Sequence, residues 1–304
     1  MLSIQNIVKE YANHRALDDV SMEVERGTVF GLLGPNGAGK TSLIRIINQI
    51  TAPDKGQVFI NGEKLNQSHI SKIGYLPEER GLYKKMEIGE QMIYLARLKG
   101  LSRVDAISKI KYWFEKMQME TWWKQKVEDL SKGMQQKVQF VACVLHNPEL
   151  LILDEPFSGF DPVNAEIIKD EIMELNQKGS TIIFSTHRME SVEVLCNHIV
   201  VLNKSHKILD GKIKDIRNSY RNNSFKIVLD KPLNILFSDK FDILSEQVKD
   251  DGIQYIIQLK ETIRLNAVLL EIIPQAQIVH LEEIIPSMND IFIEKVNQTS
   301  FAHA

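Results

Sequence analysis

The sequence predicts an α/β domain with a largely parallel sheet, interrupted by a helical insertion and followed by a small α+β domain. Three observations lead to this prediction. Short β-rich runs recur through the first 210 residues, with helical patterns between them. Residues 86–148 break that alternation and show one helical pattern after another. After Asp210 and Gly211 the chain turns polar, and a different order of elements follows. We therefore expect two domains, residues 1–215 and residues 222–304.

The strands of the first domain are predicted from short apolar runs. Several runs are nearly all apolar, which is typical of strands covered by helices on both faces. Within the helical insertion, Ser102 is the expected N-cap of an amphipathic helix that continues through Met117. The predicted strand runs are SMEVERG, TVFGLLG, GQVFING, KIGYLP, ELLILDEP, STIIFST and HIVVLN.

The second domain is expected to be a small α+β unit. Alternation in residues 224–230 places Phe225, Ile227 and Leu229 on one face of a strand. The polar stretch before it, GKIKDIRNSYRNNS, is interpreted as a linker or an exposed connecting helix. Further strands are predicted at 252–259 and 276–281, and helices at 262–273 and 287–297.

Composition narrows the classes of protein to consider. Hydrophobic residues make up 43% of the 304 residues and charged residues 25%, which excludes wholesale disorder. No apolar run approaches the length of a membrane-spanning helix. The net charge is −3, with the acidic excess in the second domain, so nucleic acid is not an expected partner. Cys143 and Cys196 are far apart and lack metal-ligand spacing, which favours a reducing cytoplasm.

A glycine-rich motif lies between a predicted strand and a predicted helix. It matches the pattern G-x-x-x-x-G-K-[ST] in the context that such a motif requires. Glycines allow backbone N–H groups to turn inward around phosphate oxygens, and the helix N-terminus adds partial positive charge. We expect Lys40 to reach the β- and γ-phosphates of a nucleotide and the Thr41 hydroxyl to bind Mg²⁺. The motif consists of Gly34, Pro35, Asn36, Gly37, Ala38, Gly39, Lys40 and Thr41.

A buried-strand pattern, LLILDE, ends in two acids, Asp154 and Glu155. Open α/β sheets bind ligands at the carboxyl ends of their strands, and a strand end can direct both side chains towards a metal-bound phosphate. Asp154 suits the Mg²⁺ shell, and Glu155 suits polarisation of an attacking water as general base. Taken alone, the pair is equally well explained as acids that cap a strand. Together with the phosphate loop it indicates nucleotide hydrolysis.

The motifs of residues 1–215, taken in order, resemble the ATP-binding subunit of ATP-binding-cassette (ABC) transporters. The sequence LSKGMQQ, which starts at Leu130, resembles the signature sequence of that family. SGFDP, which starts at Ser158, resembles its D-loop, and STH, which ends at His187, resembles its H-loop. Glu78 occupies the Q-loop position, and Tyr11 stands where an aromatic residue stacks on adenine. The resemblance implies an ABC ATPase core.

This resemblance implies a head-to-tail dimer with two ATP molecules sandwiched at its interface. Each ATP would be held by the phosphate loop of one subunit and the signature segment of the other. Ser131 and the Gly133 N–H would then coordinate a γ-phosphate across the interface. The resemblance also implies that His187 contacts the γ-phosphate, that Asp161 links the two sites, and that Ser42 reaches the α-phosphate.

Two motifs depart from the family pattern. Glu78 replaces the usual glutamine of the Q-loop; a carboxylate still ligates Mg²⁺, but its added charge bears on ATP binding. In the signature, Lys132 and Met134 replace the usual glycine and glutamine. Because Ser131 and Gly133 are retained, we expect ATP hydrolysis.

A single cassette without a membrane span implies an integral membrane permease subunit on a separate chain. The segment PEERGLY, which starts at Pro77, and the tail SMNDIF, which starts at Ser287, resemble the branch that serves bacterial multidrug, sodium and other small-molecule exporters. We therefore expect an ATP-binding and ATP-hydrolysing exporter subunit. It would work as a homodimer, or a heterodimer with a second cassette, at the cytoplasmic face of the membrane.

Two other classes of function stay open. One is a soluble ABC ATPase that acts on nucleic acid or ribosomes, which the single cassette and the acidic second domain disfavour. The other is a regulatory subunit with little hydrolysis of its own, against which the retained Lys40, Glu155 and His187 argue. For residues 222–304 we favour a role in supporting the dimer.

Overall fold

The computed structural model describes residues 1–12, 14–79, 81–234 and 238–301. The chain divides into two compact units, one built from Met1–Ile213 together with the residues from Lys295 onward, and one from Lys214–Glu294. Each unit has a hydrophobic core of its own. Within the described ranges, no helix has both the length and the apolar character needed to cross a membrane.

The first unit contains two sheets and the helices that cover them. Its strands are β1 (Leu2–Tyr11), β2 (His14–Val24), β3 (Val29–Leu33), β4 (Lys55–Ile60), β5 (Glu63–Lys64), β6 (Ile73–Leu76), β7 (Leu150–Asp154), β8 (Thr181–Thr186), β9 (His198–Asn203) and β10 (His206–Lys212). Its helices are α1 (Lys40–Ile47), α2 (Gln67–Ile70), α3 (Ile88–Leu98), α4 (Arg103–Lys116), α5 (Lys132–Val144), α6 (Pro162–Gln177) and α7 (Met189–Leu195). Helix α8 (Ile213–Ser219) follows them.

The larger sheet has the strand order β10-β9-β3-β8-β7-β6. All neighbours are parallel except β10, which pairs antiparallel with β9. Every residue of β3, β7 and β8 is buried, as expected for strands covered on both faces. The α/β fold class is therefore confirmed. Parallel pairing also brings the carboxyl ends of these three strands to one edge of the sheet.

A second sheet, β2-β1-β4-β5, is antiparallel throughout. The prediction of a single, largely parallel sheet is therefore wrong for the runs SMEVERG and GQVFING, which form β2 and β4. The reason lies in their side chains: Val20, Met22 and Val24 are buried and alternate with more exposed residues. Such alternation is typical of a sheet with only one covered face. Strand β1 was missed by the sequence prediction.

The helical insertion consists chiefly of α3, α4 and α5. Ser102 caps α4 by accepting a hydrogen bond from the Asp105 backbone N–H, as expected. The helix ends at Lys116, one residue before the predicted end, and Met117 is its C-cap. Trp113 of α4 is 5% exposed and packs edge-to-face on Phe140 of α5. Core packing is thus the observed role of this tryptophan.

The second unit is a four-stranded antiparallel sheet with the order β12-β13-β11-β14. Ile227, Leu229 and Val268 share its core, and Phe225 packs against it, as the alternation predicts. Strand β12 was missed because nearly all of its residues are exposed. The elements of the chain after α8 are β11 (Ser224–Leu229), β12 (Phe241–Lys249), β13 (Gly252–Leu259), α9 (Leu265–Ile272), β14 (Ile278–Ile284) and α10 (Met288–Phe301).

Candidate nucleotide-binding site

An open pocket of about 440 Å³ lies where β3, β7 and β8 end. Its size is that of a typical small-molecule site. Five parts of the chain contribute to it. They are the adjoining ends of β1 and β2, the phosphate loop, the Q-loop residue Glu78, the acids Asp154 and Glu155 at the end of β7, and the H-loop. The pocket is lined by Tyr11, His14, Ala16, Asn36, Gly37, Ala38, Gly39, Lys40, Thr41, Ser42, Glu78, Asp154, Glu155 and His187.

The phosphate loop connects β3 to α1, and two of its glycines are required by close backbone contacts. Gly34 has φ +149°, and a Cβ there would lie 2.2 Å from the Leu202 carbonyl oxygen. Gly39 has φ +110°, and a Cβ there would lie 2.4 Å from the Ala16 carbonyl oxygen. Only glycine tolerates both the backbone conformation and the contact. The loop is thereby held between β9 and β2.

Lys40 is the first residue of α1 and is only 7% exposed. Its Nζ donates hydrogen bonds to the carbonyl oxygens of Gly34, at 2.7 Å, and Pro35, at 3.1 Å. Burial lowers the pKa of Lys40, whereas Glu155, Asp154 and Glu78 act in the opposite direction. A cation is therefore held at the floor of the pocket, facing three carboxylates.

Asp154 ends β7 and is 3% exposed. Its Oδ1 accepts a hydrogen bond of 2.8 Å from Ser185 Oγ on the neighbouring strand β8. Burial raises the pKa of Asp154, and the charges of Glu78 and Glu155 raise it further, against the effect of Ser185. Asp154 is thus a buried carboxylate with one oxygen fixed and the other available to the pocket.

Glu155 follows Asp154 and has φ +49°, a left-handed conformation that is uncommon for a residue with a side chain. Its Oε1 accepts a hydrogen bond of 2.9 Å from the His187 backbone N–H and lies 2.6 Å from His187 Nδ1. Its Oε2 accepts one of 3.0 Å from Thr186 Oγ1. The H-loop therefore holds the carboxylate at the mouth of the pocket, although adjacent strand residues normally point to opposite faces.

The adjoining ends of β1 and β2 also contribute to the pocket. Tyr11 is 39% exposed, and Lys9 Nζ lies 5.3 Å from its ring centroid. Tyr11 pairs directly with His14 across the hairpin, so both residues line the pocket with Ala16. Sequence reasoning missed His14 and Ala16. Recognising β1 and β2 as a hairpin that closes after Tyr11 would have revealed them.

Five sequence-predicted site residues are not among those that line the pocket: Gly34 and Pro35, which begin the phosphate loop itself, and Ser131, Gly133 and Asp161, which lie elsewhere. Ser131 is exposed and caps α5 by accepting a hydrogen bond of 3.3 Å from the Met134 backbone N–H. Gly133 is half-buried in the first turn of the same helix. Asp161 is exposed and caps α6 by accepting one of 3.0 Å from the Asn164 backbone N–H. The structure therefore does not bring Ser131, Gly133 or Asp161 to the phosphate loop of their own chain.

The donor set around Thr41 and Asp154 is suited to Mg²⁺. Both are oxygen ligands that line the pocket, and Glu78 adds a second carboxylate there. Among the residues that the structure describes, no three His, Cys, Asp or Glu side chains converge to hold a metal by themselves. That agrees with the usual mode of Mg²⁺ binding, in which one or two carboxylates act together with substrate phosphates.

Comparison with known proteins matches both parts of the chain. Residues 17–158 match the family model of the ABC transporter, and residues 211–296 match that of the C-terminal domain of DrrA1-3-like ATP-binding proteins. The ABC transporter ATP-binding protein YhaQ of Bacillus subtilis is 42% identical over 97% of this chain and 98% of its own length. The chain belongs to the ABC transporter ATP-binding proteins. As a member of that family it is an ABC ATPase.

Two further relatives of this ABC ATPase extend the comparison. The Nod factor export ATP-binding protein I of Cupriavidus metallidurans is 33% identical over 72% of this chain and 73% of its own length. A solved structure described as the ATP-binding subunit of an ABC transporter is 30% identical, with a TM-score of 0.68. The match covers 72% of this chain and 93% of that structure. The family and the fold expected from the motifs are confirmed.

Proposed function

We propose that this ABC ATPase pairs head-to-tail with a second copy of itself and, through ATP-driven closure of that dimer, powers export through a permease on a separate chain. One observation carries the pairing. Ser131 and Gly133 lie outside the pocket that holds Lys40 and Glu155, and they are exposed and half-buried respectively. If these residues contact a γ-phosphate, they contact the nucleotide of another subunit.

Each predicted site residue has a separate role in this proposal. Tyr11 stacks on the adenine, Ser42 contacts the α-phosphate, and Lys40 with the backbone of the phosphate loop binds the β- and γ-phosphates. His187 contacts the γ-phosphate and Asp161 links the two composite sites. Mg²⁺, held by Thr41, Asp154 and Glu78, would neutralise charge on the phosphates.

Glu155 acts as the general base in this proposal. Its carboxylate is hydrogen-bonded by Thr186 and His187 at the mouth of the pocket, where a water would approach the γ-phosphate. The carboxylate polarises that water and receives its proton. Hydrolysis and phosphate release then reopen the dimer.

The pairing is tested by Gly133→Asp. A Cβ at Gly133 meets only Phe160 Cδ1, at 4.0 Å, so a side chain fits without disturbing the fold. A carboxylate there repels a γ-phosphate, and we expect ATP-dependent dimerisation and hydrolysis to fall by about 100-fold. Binding of ATP to the single subunit should stay unchanged, as measured by calorimetry beside light scattering of the dimer.

The control is Ser108→Asp, which adds the same acid at an exposed position of α4. This variant should dimerise and hydrolyse ATP like the parent. Normal dimerisation of Gly133→Asp would contradict the head-to-tail arrangement. Loss of ATP binding in the single subunit would instead show that Gly133 serves the site of its own chain.

Export is supported by the relative described as a Nod factor export ATP-binding protein. We place the subunit in the cytoplasm, at the inner face of the cell membrane, with the permease docked near Glu78 and the helical insertion. Exposed aromatic side chains support this docking site: Tyr83 is 56% exposed and Tyr94 is 44% exposed. Purification from detergent-solubilised membranes should recover an integral membrane protein. Salt-sensitive recovery of ribosomes or nucleic acid would favour the soluble class instead.

We assign residues 1–215 to the ATP-binding domain and residues 222–304 to an accessory domain that supports the dimer. Exposed apolar side chains of the second unit, such as Leu244 at 54% and Val248 at 83% exposure, support an interface there. Deletion after Tyr220 should therefore weaken ATP-dependent dimerisation by about tenfold while ATP binding is kept. Sedimentation of both proteins with ATP measures this effect, and equal dimerisation would remove the assigned role.

A further inference from the structure

Lys116, in the last turn of α4, joins the helical insertion to α6 by two ion pairs. Its Nζ lies 2.5 Å from Glu171 Oε2 and donates a hydrogen bond of 2.7 Å to Glu174 Oε2. Glu171 is only 9% exposed. A carboxylate so buried is stable as an anion only when it is paired. The position of Lys116 against α6 is therefore closely defined.

The same lysine is connected to α5 through Trp113. Lys116 Nζ lies 5.4 Å from the centroid of the Trp113 ring. That ring packs edge-to-face on Phe140 of α5, with the ring centroids 6.2 Å apart. Both rings are buried, so neither can turn without disturbing the core. We call Trp113, Lys116, Phe140, Glu171 and Glu174 the α4 brace, because they link α5 to α6 through α4.

The α4 brace contacts α5 and α6 at a similar distance along each helix from its N-cap. Phe140 follows the α5 cap Ser131 by nine residues, and Glu171 follows the α6 cap Asp161 by ten. At about 1.5 Å per residue, the brace lies roughly 13–15 Å behind both caps. Each helix is uninterrupted between its cap and the brace. The separation of α5 and α6 at the brace therefore sets the separation of Ser131 and Asp161.

Direct contacts between the two helix starts are weaker. Gln136 Nε2 donates a long hydrogen bond of 3.4 Å to the Pro156 carbonyl oxygen in the loop before α6. The open space beside Gly133, noted above, reaches as far as Phe160. This long hydrogen bond and the open space beside Gly133 constrain this end less firmly than an ion pair would. The ion pairs and packed rings at the other end provide the fixed geometry.

We propose that Lys116 is a positioning residue of the ATPase, which, through the α4 brace, holds Ser131 and Asp161 at the spacing that the nucleotide of a second subunit requires. This inference rests on the proposed function, in which both residues act across a dimer interface. The two ion-pair partners of Lys116 in the described part of the chain lie outside the nucleotide pocket. Its effect should therefore appear in dimer closure and turnover, and not in ATP binding by one subunit.

The test uses the double variant Lys116→Met/Glu171→Leu. Removing both partners of a buried ion pair in favour of apolar side chains preserves the fold, whereas removing one would leave a buried charge. The matched control is Lys178→Met, which removes the other lysine paired with Glu174. Lys178 is the C-cap of α6 and Glu174 lies within α6, so the Lys178–Glu174 pair itself joins no second helix to α6, although Glu174 is also bonded to Lys116. Lys116→Arg keeps the ion pairs and should behave like the parent.

Dimerisation is measured with ATP in proteins that also carry Glu155→Gln, so that hydrolysis does not dissociate the dimer. We expect the double variant to raise the dimer dissociation constant by about tenfold and, in the background that retains Glu155, to lower kcat similarly. Its ATP affinity as a single subunit, measured by calorimetry, should stay within about twofold of the parent. Unchanged dimerisation and kcat in the double variant would overturn the proposal. So would an equal loss in Lys178→Met.

A second readout separates this inference from the proposed function. Amide hydrogen exchange on the single subunit should be faster in α5 and α6 of the double variant, and unchanged in α7. If the Glu155→Gln parent does not dimerise but this local change is seen, self-pairing is wrong and the α4 brace stands. Exchange that is unchanged, or faster throughout the first unit, overturns the positioning role.

Discussion

Replacing Lys40 by methionine is expected to remove ATP binding and, with it, all hydrolysis. Each hydrogen bond to a charged group contributes about 1.5–3 kcal/mol, so removing the cation should weaken ATP binding roughly 10- to 150-fold for each phosphate oxygen that the lysine would have bound. The effect is greater here because Lys40 faces Asp154, Glu155 and Glu78. Without the lysine cation, only Mg²⁺ would offset the repulsion between those carboxylates and the phosphates.

Thermal unfolding measures this weakening of ATP binding without a turnover assay. ATP at 100 times its Kd stabilises a protein by about 2.7 kcal/mol, which corresponds to roughly 5–10 °C in Tm for a domain of this size. We expect that shift in the parent and none in Lys40→Met. The control is Lys169→Met, which removes a lysine that forms an ion pair with Glu166 on the surface of α6. A full ATP-induced shift in Lys40→Met would contradict the assignment of the phosphate site.

Replacing Glu155 by glutamine is expected to stop hydrolysis while ATP binding is kept. The loss of a general base typically lowers kcat by about 10²–10⁴-fold. Glutamine keeps one oxygen that can accept from the His187 backbone N–H, and its amide N–H can donate to Thr186 Oγ1 in place of the bond that the carboxylate accepts, so the local fold should survive. Because bound ATP would no longer be consumed, the dimer should accumulate. Light scattering with and without ATP is the measurement.

Glu166→Gln provides the matched control, since Glu166 is exposed and its only ion pair among the described residues is with Lys169. It should hydrolyse ATP at the parental rate and form no stable dimer. An ATP-bound Glu155→Gln protein that stays monomeric would exclude self-pairing and point to a second cassette or an obligatory permease. Substantial hydrolysis by Glu155→Gln would remove Glu155 from the role of base.

The parts of the fold that follow from local pattern were predictable from sequence. The largely apolar runs of β3, β7 and β8 identify a doubly covered sheet, and Ser102 identifies the start of α4. Strand β12 was not predictable, because an exposed strand lacks apolar periodicity. Strands β2 and β4 each pair antiparallel with β1, so their sheet could not be predicted without β1. The pairing of β1 is irregular, because the β1–β2 register shifts between Ile4 and Ile7 and again further along.

The candidate site was predictable where residue chemistry has few alternatives. A lysine after a glycine-rich loop and two acids after an apolar strand both predict a nucleotide site. The structure places these residues, Lys40, Asp154 and Glu155, in one pocket. His14 was missed because its place in the pocket arises from hairpin pairing with Tyr11, which no motif records. The bond between Glu155 and His187 depends on the left-handed backbone at Glu155, a property of the folded chain alone.

The hydrogen bonds of Lys40 to the carbonyls of Gly34 and Pro35 bear on how fast nucleotide is captured. These hydrogen bonds hold the phosphate loop in its curved shape. When a nucleotide binds, Lys40 exchanges the two carbonyl oxygens for phosphate oxygens, and the loop itself needs little rearrangement. Little chain ordering then accompanies association. Arrival of ATP should accordingly be governed by diffusion and by the balance of charge at the entrance, and not by the time that a loop needs to fold.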